Sequence, residues 1–327
     1  MKDLLLLEAV REAMIEEMTR DNSVFIMGED VAARGGVFLA TDGLVDKFGQ
    51  DRVIDTPLAE ASIVGIALGA ALNGMRPIAE IQFSDFIWPI VNQLVGEAAR
   101  IRYGSNGQTS APLVVRSPYG GGVRGGLYHS QSVEGFFYHT PGLKVICPST
   151  PYDAKGLLKS AIRDDDPCLF LEHKRTYRLV KGAVPDDEYL VPIGVADVKR
   201  PGEQISLFSY GLMVHYCLQA ADRLENEGVS VEVVDLRTVK PLDRHLIVQS
   251  VKKTGRALIV HEDNLTGGVG AEVAAIIAEE AFSDLDAPVM RHCGPDVPAM
   301  PFAPTLEAAF MLNTDTITNA LKELAAY

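Results

Sequence analysis

Long apolar runs, clustered cysteines and excess positive charge are all missing from this 327-residue chain. No stretch reaches the roughly 18 apolar residues that a membrane-spanning helix needs, so we expect no membrane partner. The four cysteines lie far apart in apolar surroundings, which fits neither a disulfide framework nor a zinc site. A net charge of −14 argues against a nucleic-acid partner. These absences predict a cytoplasmic protein with reduced thiols, or a mitochondrial-matrix protein if the chain is a processed form.

The short motifs of several common enzyme classes are missing as well. The chain has no P-loop, no H-E-x-x-H pair and no G-x-G-x-x-G dinucleotide fingerprint. It also has no G-x-S-x-G elbow, so the serine beside His129 does not indicate a serine hydrolase. The sequence therefore lacks the motifs that usually indicate a hydrolase, a kinase or a nicotinamide dehydrogenase.

The chain does contain a regular alternation of short apolar segments with longer amphipathic ones. Apolar residues make up 47% and charged residues 23%, as in an ordinary globular chain, and the length favours two domains. The alternation predicts an α/β fold with two doubly wound, mostly parallel sheets. It fades after about residue 174, where charges and three prolines gather. We predict a first domain at 1–185, a linker at 186–202 and a smaller second domain at 203–327.

One acidic residue, Glu60, falls in a predicted strand-to-helix turn. Residues 52–54 are apolar enough for a buried strand, residues 63–72 suit a helix, and Pro57 marks the break between them. Ligands of open α/β sheets collect at the carboxyl ends of strands, so Glu60 is a candidate site residue. The alternative is a first-turn acid favoured by the helix dipole.

Three further polar residues are candidates, because they follow predicted strands or a glycine-rich loop. Glu29 and Gln82 follow predicted strands, and His129 follows the glycine-rich stretch 117–122. Loops of this kind often carry function, although a lone histidine is more often structural. A second glycine-rich stretch, 267–270, opens a predicted helix, where it favours close packing over an anion site.

Several blocks of the sequence, in this order, resemble one family. They are Gly28-Glu29-Asp30-Val31, Gly35-Gly36-Val37-Phe38, Asp55-Thr56-Pro57-Leu58-Ala59-Glu60, Arg76-Pro77-Ile78-Ala79-Glu80, Arg116-Ser117-Pro118-Tyr119-Gly120-Gly121-Gly122, His129-Ser130-Gln131-Ser132 and Pro148-Ser149-Thr150-Pro151-Tyr152-Asp153-Ala154-Lys155-Gly156. The chain is thereby identified as similar to the β subunit of the thiamine-diphosphate-dependent 2-oxoacid dehydrogenases. The resemblance implies a pyrimidine-binding thiamine diphosphate domain followed by a transketolase C-terminal-like domain.

The resemblance also implies roles for individual residues. Glu60 matches the buried glutamate that hydrogen-bonds the pyrimidine of the cofactor, and His129 matches the active-site histidine that transfers a proton during lipoyl acylation. The matching cofactor positions are Glu29, Leu58, Ala59, Glu60, Gln82, Phe86, Ile87, Trp88 and Pro89. The matching substrate positions are Phe83, Ser84, Asp85 and His129. The residues that match the family's site for a structural monovalent cation, expected to be K⁺, are Leu113, Ala161, Ile162, Asp164 and Asp166.

One absence predicts a partner chain. Thiamine-diphosphate enzymes hold Mg²⁺ against the diphosphate with a G-D-G…N segment, and this sequence has none. Since Mg²⁺ needs hard oxygen ligands, we expect a separate α subunit to supply them, in an α2β2 assembly that is active only when complete. The family further implies docking to an acyltransferase core that carries the lipoyl arm.

Three alternatives remain open at the level of sequence. Residues 127–137 resemble the branched-chain members most, so a branched-chain 2-oxo acid is the expected substrate, with pyruvate or acetoin as the alternative. A non-catalytic assembly subunit is a reading of another class. A complete transketolase-like enzyme would have to bind thiamine diphosphate by itself.

Overall fold

The computed structural model describes all 327 residues, which form two compact units. The first unit comprises Met1–Tyr119 and Phe136–Ile193, and the second comprises Gly120–Gly135 and Gly194–Tyr327. The predicted two-domain α/β class is confirmed. The predicted linker was placed from its prolines and charges alone, whereas the structure also separates residues 120–135 from the first unit.

The first unit is built on parallel strands. Its strands are β1 (Lys2–Leu5), β2 (Val24–Gly28), β3 (Val53–Asp55), β4 (Arg76–Glu80), β5 (Val114–Tyr119), β6 (Lys144–Ile146), β7 (Cys168–His173) and β8 (Lys181–Val184). Six of them lie side by side in the order β6-β7-β5-β4-β2-β3, and every pair is parallel. Strands β1 and β8 form a separate antiparallel ribbon.

Helices cover this sheet. They are α1 (Leu6–Arg20), α2 (Leu44–Phe48), α3 (Glu60–Leu72), α4 (Ala99–Gly104), α5 (Glu134–Phe137, which spans the boundary between the units), α6 (Pro151–Arg163) and α7 (Thr176–Leu179). Helices α1 and α6 pack together through the buried ammonium groups of Lys155 and Lys159, which pair with Glu16 at 2.6 Å each.

The sequence from about residue 87 to residue 102 predicts one continuous helix, and this prediction is wrong. The structure has two short 3₁₀ turns at Ser84–Phe86 and Trp88–Ile90, a π-helical stretch at Asn92–Ala98 and only then the regular helix α4. Pro89 lies in the second turn and offers no backbone N–H, which accounts for a break there. π-Helical segments are frequent at functional sites because they redirect side chains.

The second unit holds a five-stranded sheet in the order β14-β13-β10-β11-β9. Its strands are β9 (Asp197–Arg200), β10 (Ile205–Ser209), β11 (Val231–Asp235), β12 (Thr238–Lys240), β13 (Ala257–Asn264) and β14 (Met290–Gly294). Its helices are α8 (Met213–Glu225), α9 (Arg244–Thr254), α10 (Val269–Glu280), α11 (Pro304–Phe310) and α12 (Thr314–Ala325). Only edge strand β9 runs antiparallel to its neighbour. None of the helices combines the length and the apolarity needed to cross a bilayer.

Candidate active site

Three neighbouring strands of the first unit end at one edge of the sheet. In the register of the sheet, Gly28 at the end of β2 pairs with Asp55 at the end of β3 and with Glu80 at the end of β4. The residues that follow these strands therefore emerge together, as the carboxyl ends of parallel strands do. This geometry brings Glu29, Glu60 and Gln82 to one place.

Glu60 is the first residue of helix α3, not a residue of the preceding turn. Ala59 is the N-cap, and its carbonyl accepts from the backbone N–H groups of Ser62 and Ile63 at 2.9 and 3.0 Å. The Glu60 side chain is partly exposed in this single chain, where the resemblance implied burial. In the same turn, the hydroxyl oxygen of Thr56 is buried and has no hydrogen-bond partner within the chain.

The second carboxyl, that of Glu29, lies close enough to Glu60 to feel its charge. Burial raises the pKa of Glu29 above its usual value, and repulsion from Glu60 and Asp30 raises it further. The Gln82 amide nitrogen donates to the Glu29 carbonyl at 3.4 Å and lies 3.5 Å from an Asp30 carboxylate oxygen. Two acids and an amide thus share one edge of the sheet.

Hydrogen bonds to Asp55 hold the loop that follows Glu29. The Asp55 carboxylate accepts from the backbone N–H groups of Ala32 and Ala33 at 2.7 and 3.4 Å. Gly28 must be glycine, because a Cβ there would lie 2.8 Å from the Glu80 carbonyl oxygen. The end of β2 is thereby fixed where the three strands meet.

The predicted cofactor and substrate positions after β4 divide by exposure. Leu58 and Trp88 are 79% and 44% exposed, and Pro89 is also exposed, so these side chains are open to a ligand or partner. Ile87 is fully buried. Ser84 is fully buried as well, and its hydroxyl donates to Ser117 Oγ at 3.1 Å, an arrangement that serves the core.

An aromatic cluster borders the same edge. The ring of Phe83 lies edge-on to Phe86 at 5.9 Å and to Phe38 at 5.5 Å, and Lys174 Nζ lies 5.7 Å above it. Phe83 and Phe86 are among the predicted site residues, whereas Phe38 is not. Its place in the Gly-Gly-Val-Phe block, beside a glycine pair with positive φ, was the available signal.

Behind this edge lies a buried charge cluster that sequence reasoning missed. Arg116 donates to Glu80 Oε2 at 2.7 Å and to both carboxylate oxygens of Glu172, and the Tyr177 hydroxyl also donates to Glu172. Burial opposes the charge on Arg116, but Glu172 and Glu80 raise the pKa of its guanidinium above the usual value. Burial also raises the pKa of Glu80. The signal was a charge of either sign at the ends of three otherwise apolar segments.

His129 belongs to the second unit, in the segment Gly120–Gly135. It is partly exposed and follows a short 3₁₀ turn at Gly126–Tyr128. Two residues later, the Gln131 carbonyl accepts from the backbone N–H of Gly120 at 3.0 Å, which closes this segment into a loop. The histidine is thus presented from a closed loop.

Two of the residues predicted to bind a monovalent cation present their backbone carbonyls to Arg76. Ile162 and Asp164 each accept through the backbone carbonyl from Arg76 Nη1 at 3.0 Å. The carboxylates nearby are paired, since Lys144 binds Asp164 at 2.5 Å and Arg102 binds Asp166 at 2.5 Å. Two of the five residues predicted to bind the cation thus have their carbonyls bound to a guanidinium. No cluster of three or more metal-ligating side chains occurs in the structure.

The glycines at the start of α10 serve packing, as predicted. A Cβ on Gly268 or Gly270 would lie 2.6 or 2.8 Å from the His261 ring. The His261 Nδ1 faces the Asp263 carbonyl at 3.0 Å, and its Nε2 accepts from the Gly270 N–H at 3.0 Å. Burial lowers the pKa of His261 to about 4 and raises that of the neighbouring Cys293 thiol to about 12, so this pair is neutral and inert.

Two family models match the chain. Residues 3–180 match the transketolase pyrimidine-binding domain, and residues 194–317 match the transketolase C-terminal domain. Among solved structures, a chain described as a split-gene transketolase in an inactive β4 tetramer superimposes with a TM-score of 0.77 at 23% identity, covering 99% of this chain and 98% of that one. This likeness concerns the fold.

Curated relatives are far more similar in sequence. The 2-oxoisovalerate dehydrogenase subunit beta of Bacillus subtilis is 60% identical over 321 residues, which is 98% of each chain. The pyruvate dehydrogenase E1 component subunit beta of the same organism is 48% identical over 324 residues, or 99% of each chain. One of Staphylococcus aureus is 46% identical over 99% of each chain.

Proposed function

Because the chain belongs to the β subunits of the thiamine-diphosphate-dependent 2-oxoacid dehydrogenases, we propose that it works in the decarboxylating component specific for branched-chain 2-oxo acids. The proposed substrate is supported by the difference between 60% identity to a 2-oxoisovalerate dehydrogenase subunit and 48% identity to a pyruvate dehydrogenase subunit. Pyruvate, or acetoin, remains the alternative. The product acyl group passes to a lipoyl arm of the acyltransferase.

The edge formed by Glu29, Glu60 and Gln82 fits the pyrimidine half of thiamine diphosphate. The cofactor, when bound, supplies a thiazolium carbon nucleophile and accepts the electrons that departing carbon dioxide leaves behind. When the cofactor binds, the Glu60 carboxyl would hydrogen-bond a nitrogen of the pyrimidine ring. Glu29 lies close enough to Glu60 for the two carboxyls to interact electrostatically, and the hydroxyl of Thr56 offers one more polar contact.

The other predicted site residues keep their proposed roles around this centre. Leu58, Ala59 and residues 86–89 line the cofactor, and Phe83 to Asp85 border the substrate. The aromatic cluster of Phe38, Phe83 and Phe86 suits a branched aliphatic side chain, because apolar rings bury methyl groups without unpaired polar atoms. The buried hydroxyl of Ser84 contributes by fixing the backbone of this stretch.

His129 is the proposed proton carrier for the second half-reaction. Acyl transfer to the lipoyl arm forms a thioester with one sulfur of its disulfide, while the S–S bond breaks and the other sulfur leaves as a thiolate that takes up a proton. An imidazole can supply that proton near neutral pH. Its partial exposure leaves the ring accessible to an arm that arrives from another protein.

We propose that the chain acts only with an α subunit, in an α2β2 assembly in which that subunit supplies the Mg²⁺ ligands. Exposed apolar residues on helix α3 support the proposal that a partner covers this helix. Ile66 and Leu72 are 61% and 44% exposed, and a Cβ on Gly69 would meet nothing within 4 Å. An exposed apolar face on the helix that begins at Glu60 suits a neighbouring subunit. The cytoplasmic or matrix location stays a prediction, as does K⁺ at the carbonyls of Leu113, Ala161, Ile162, Asp164 and Asp166.

Co-expression with an α subunit of a branched-chain member tests the proposal. Purified complex is assayed for carbon dioxide release from branched-chain 2-oxo acids and from pyruvate, with thiamine diphosphate and Mg²⁺ present. We expect the branched acids to give the higher kcat/KM. Higher kcat/KM for pyruvate would establish the alternative, and thiamine diphosphate binding to this chain alone by calorimetry would establish a complete transketolase-like enzyme.

A further inference from the structure

The segment Gly120–Gly135, here called the His129 loop, is held in the second unit by acidic side chains. Glu134 is fully buried, and Glu262, Asp263 and Glu307 are 4%, 9% and 6% exposed. Glu262, Asp263 and Glu307 accept from backbone N–H groups of the loop. Acids this deeply buried are costly unless they are hydrogen-bonded, so their placement around one loop calls for an explanation.

Glu262 closes the base of the His129 loop. Its Oε1 accepts from the Gly121 N–H at 2.6 Å, and Ser132 Oγ lies 3.4 Å from the same oxygen. Gly121 and Ser132 stand on opposite sides of His129 in the chain. One carboxylate oxygen therefore ties together the entry and the exit of the loop, beside the Gly120–Gln131 hydrogen bond.

Glu307, on helix α11, holds the entering limb of the same loop. Its Oε1 accepts from the N–H groups of Gly122 and Arg124 at 3.1 and 2.9 Å. Arg124 has φ = +59°, a conformation that a non-glycine residue keeps only with outside support. A Cβ on Gly126 would lie 3.1 Å from Phe302, so the loop also packs closely on the segment before α11.

We propose that Glu262 and Glu307 are positioning residues for His129, forming a carboxylate clamp that fixes its loop without touching substrate. This inference rests on the proposed role of His129. Hydrogen bonds from backbone N–H to carboxylate are charge-assisted and about twice as strong as neutral ones. Losing the charge would loosen the loop, and a misplacement of about 1 Å can cost roughly 100-fold in rate.

A double-mutant cycle in the assembled complex tests whether Glu262 acts through His129. We expect Glu262→Gln to lower the rate of lipoyl acylation by about 10- to 100-fold while decarboxylation changes little. In a His129→Ala background, the same substitution should cost nothing further, because the group that it positions is gone. Losses that multiply across the two substitutions would overturn the proposal. Glu279→Gln, an exposed acid on α10 that pairs with Arg244, is the control and should change neither rate.

A second measurement does not depend on turnover. Arg124 is exposed within the His129 loop, so trypsin cleavage after it reports how often the loop opens. We expect faster cleavage in Glu262→Gln and in Glu307→Gln but not in Glu279→Gln. Unchanged cleavage in both clamp variants would refute the clamp. If the wild-type complex decarboxylates no 2-oxo acid, the proposed function fails, while the cleavage rates still decide whether the clamp holds the loop.

Discussion

Arg116 and Glu172 form two parallel hydrogen bonds inside the first sheet, from Nε to Oε1 at 2.7 Å and from Nη2 to Oε2 at 2.6 Å. Both side chains are almost completely buried, at 1% and 0% exposure. Glu80 accepts a third bond from the same guanidinium, and Glu80 Oε1 would lie 3.3 Å from a Cβ on Gly36. The charge cluster thus packs against the end of β2 and the loop that follows it, which border the candidate active site.

Removing the guanidinium should be severely destabilising. Arg116→Met leaves two buried carboxyls without their shared donor, a change that costs about 3–5 kcal/mol in buried ion pairs. We expect a correspondingly lower free energy of unfolding in urea. Arg244→Met, at an exposed pair with Glu280, is the matched control and should leave the urea midpoint unchanged. Equal midpoints for Arg116→Met and the control would contradict the assigned role.

Glu60→Gln should abolish catalysis and spare the fold. The carboxyl is partly exposed at the start of α3, so its replacement removes proton sharing without creating a cavity. We expect decarboxylation by the α2β2 complex to fall by about 100-fold or more. The melting temperature and the assembly state are measured in parallel, with exposed Asp51→Asn as the control. Full activity in Glu60→Gln would support the non-catalytic assembly subunit instead.

His129→Ala should separate the two half-reactions. The imidazole is proposed to carry a proton during acyl transfer, so lipoyl acylation should fall at least tenfold further than decarboxylation does. Single-turnover assays with and without lipoylated acyltransferase measure the two steps. Exposed His245→Ala serves as the control. Equal losses in both steps would remove the proposed division of labour.

His261 and Asp263 should make opposite contributions to stability between pH 4 and 6.5. Burial lowers the pKa of His261 to about 4, so its contribution is complete above pH 6.5 and is lost on acidification. Burial raises the pKa of Asp263 to about 6, so its contribution is complete below about pH 4 and is lost as pH rises. Glu134 and Glu262, both close to Asp263, add repulsion when they are ionised.

Asp263→Asn should therefore expose the histidine titration. We expect the free energy of unfolding of this variant to fall by roughly 2 kcal/mol more than that of the wild type between pH 6.5 and 4. Urea unfolding at half-unit intervals of pH measures the two slopes. Parallel slopes would show that Asp263 titrates at its ordinary value.

Monovalent cations should stabilise the chain through the carbonyl group near Arg76. A ligand that binds only the folded state raises the melting temperature as its concentration rises. We expect potassium chloride to raise the melting temperature more than choline chloride does at equal ionic strength. Asp166→Asn should preserve the difference, because the proposed ligand is the backbone carbonyl and the side chain pairs with Arg102. The same melting temperature in both salts would reject the cation site.

Local patterns predicted those parts of the fold that depend on neighbouring residues. Apolar strands and following helices were recognisable because each repeats a short period, and the strand ends located Glu29, Glu60 and Gln82. The glycines at 268 and 270 were correctly assigned to packing because their spacing departs from the dinucleotide fingerprint. Roles of single residues came from the family resemblance and stay predictions.

Interactions between distant residues escaped prediction. Arg116 and Glu172 are 56 positions apart, and only the sheet order brings their strands together. Gly122 and Glu307 are 185 positions apart, so nothing local ties the His129 loop to the second unit. The predicted helix over 87–102 failed because an apolar run does not reveal where the hydrogen-bond pattern changes from 3₁₀ to π.

The path of the chain through residues 120–135 limits how this protein can be divided. A fragment that stops at residue 185 would carry His129 but lack Glu262, Asp263 and Glu307, which hold its loop. A fragment that starts at residue 186 would keep those three acids and lose the N–H groups that satisfy them. Neither fragment obtained by cutting at the linker would therefore contain a complete unit. Adding residues 120–135 to the second fragment would restore the missing hydrogen-bond partners.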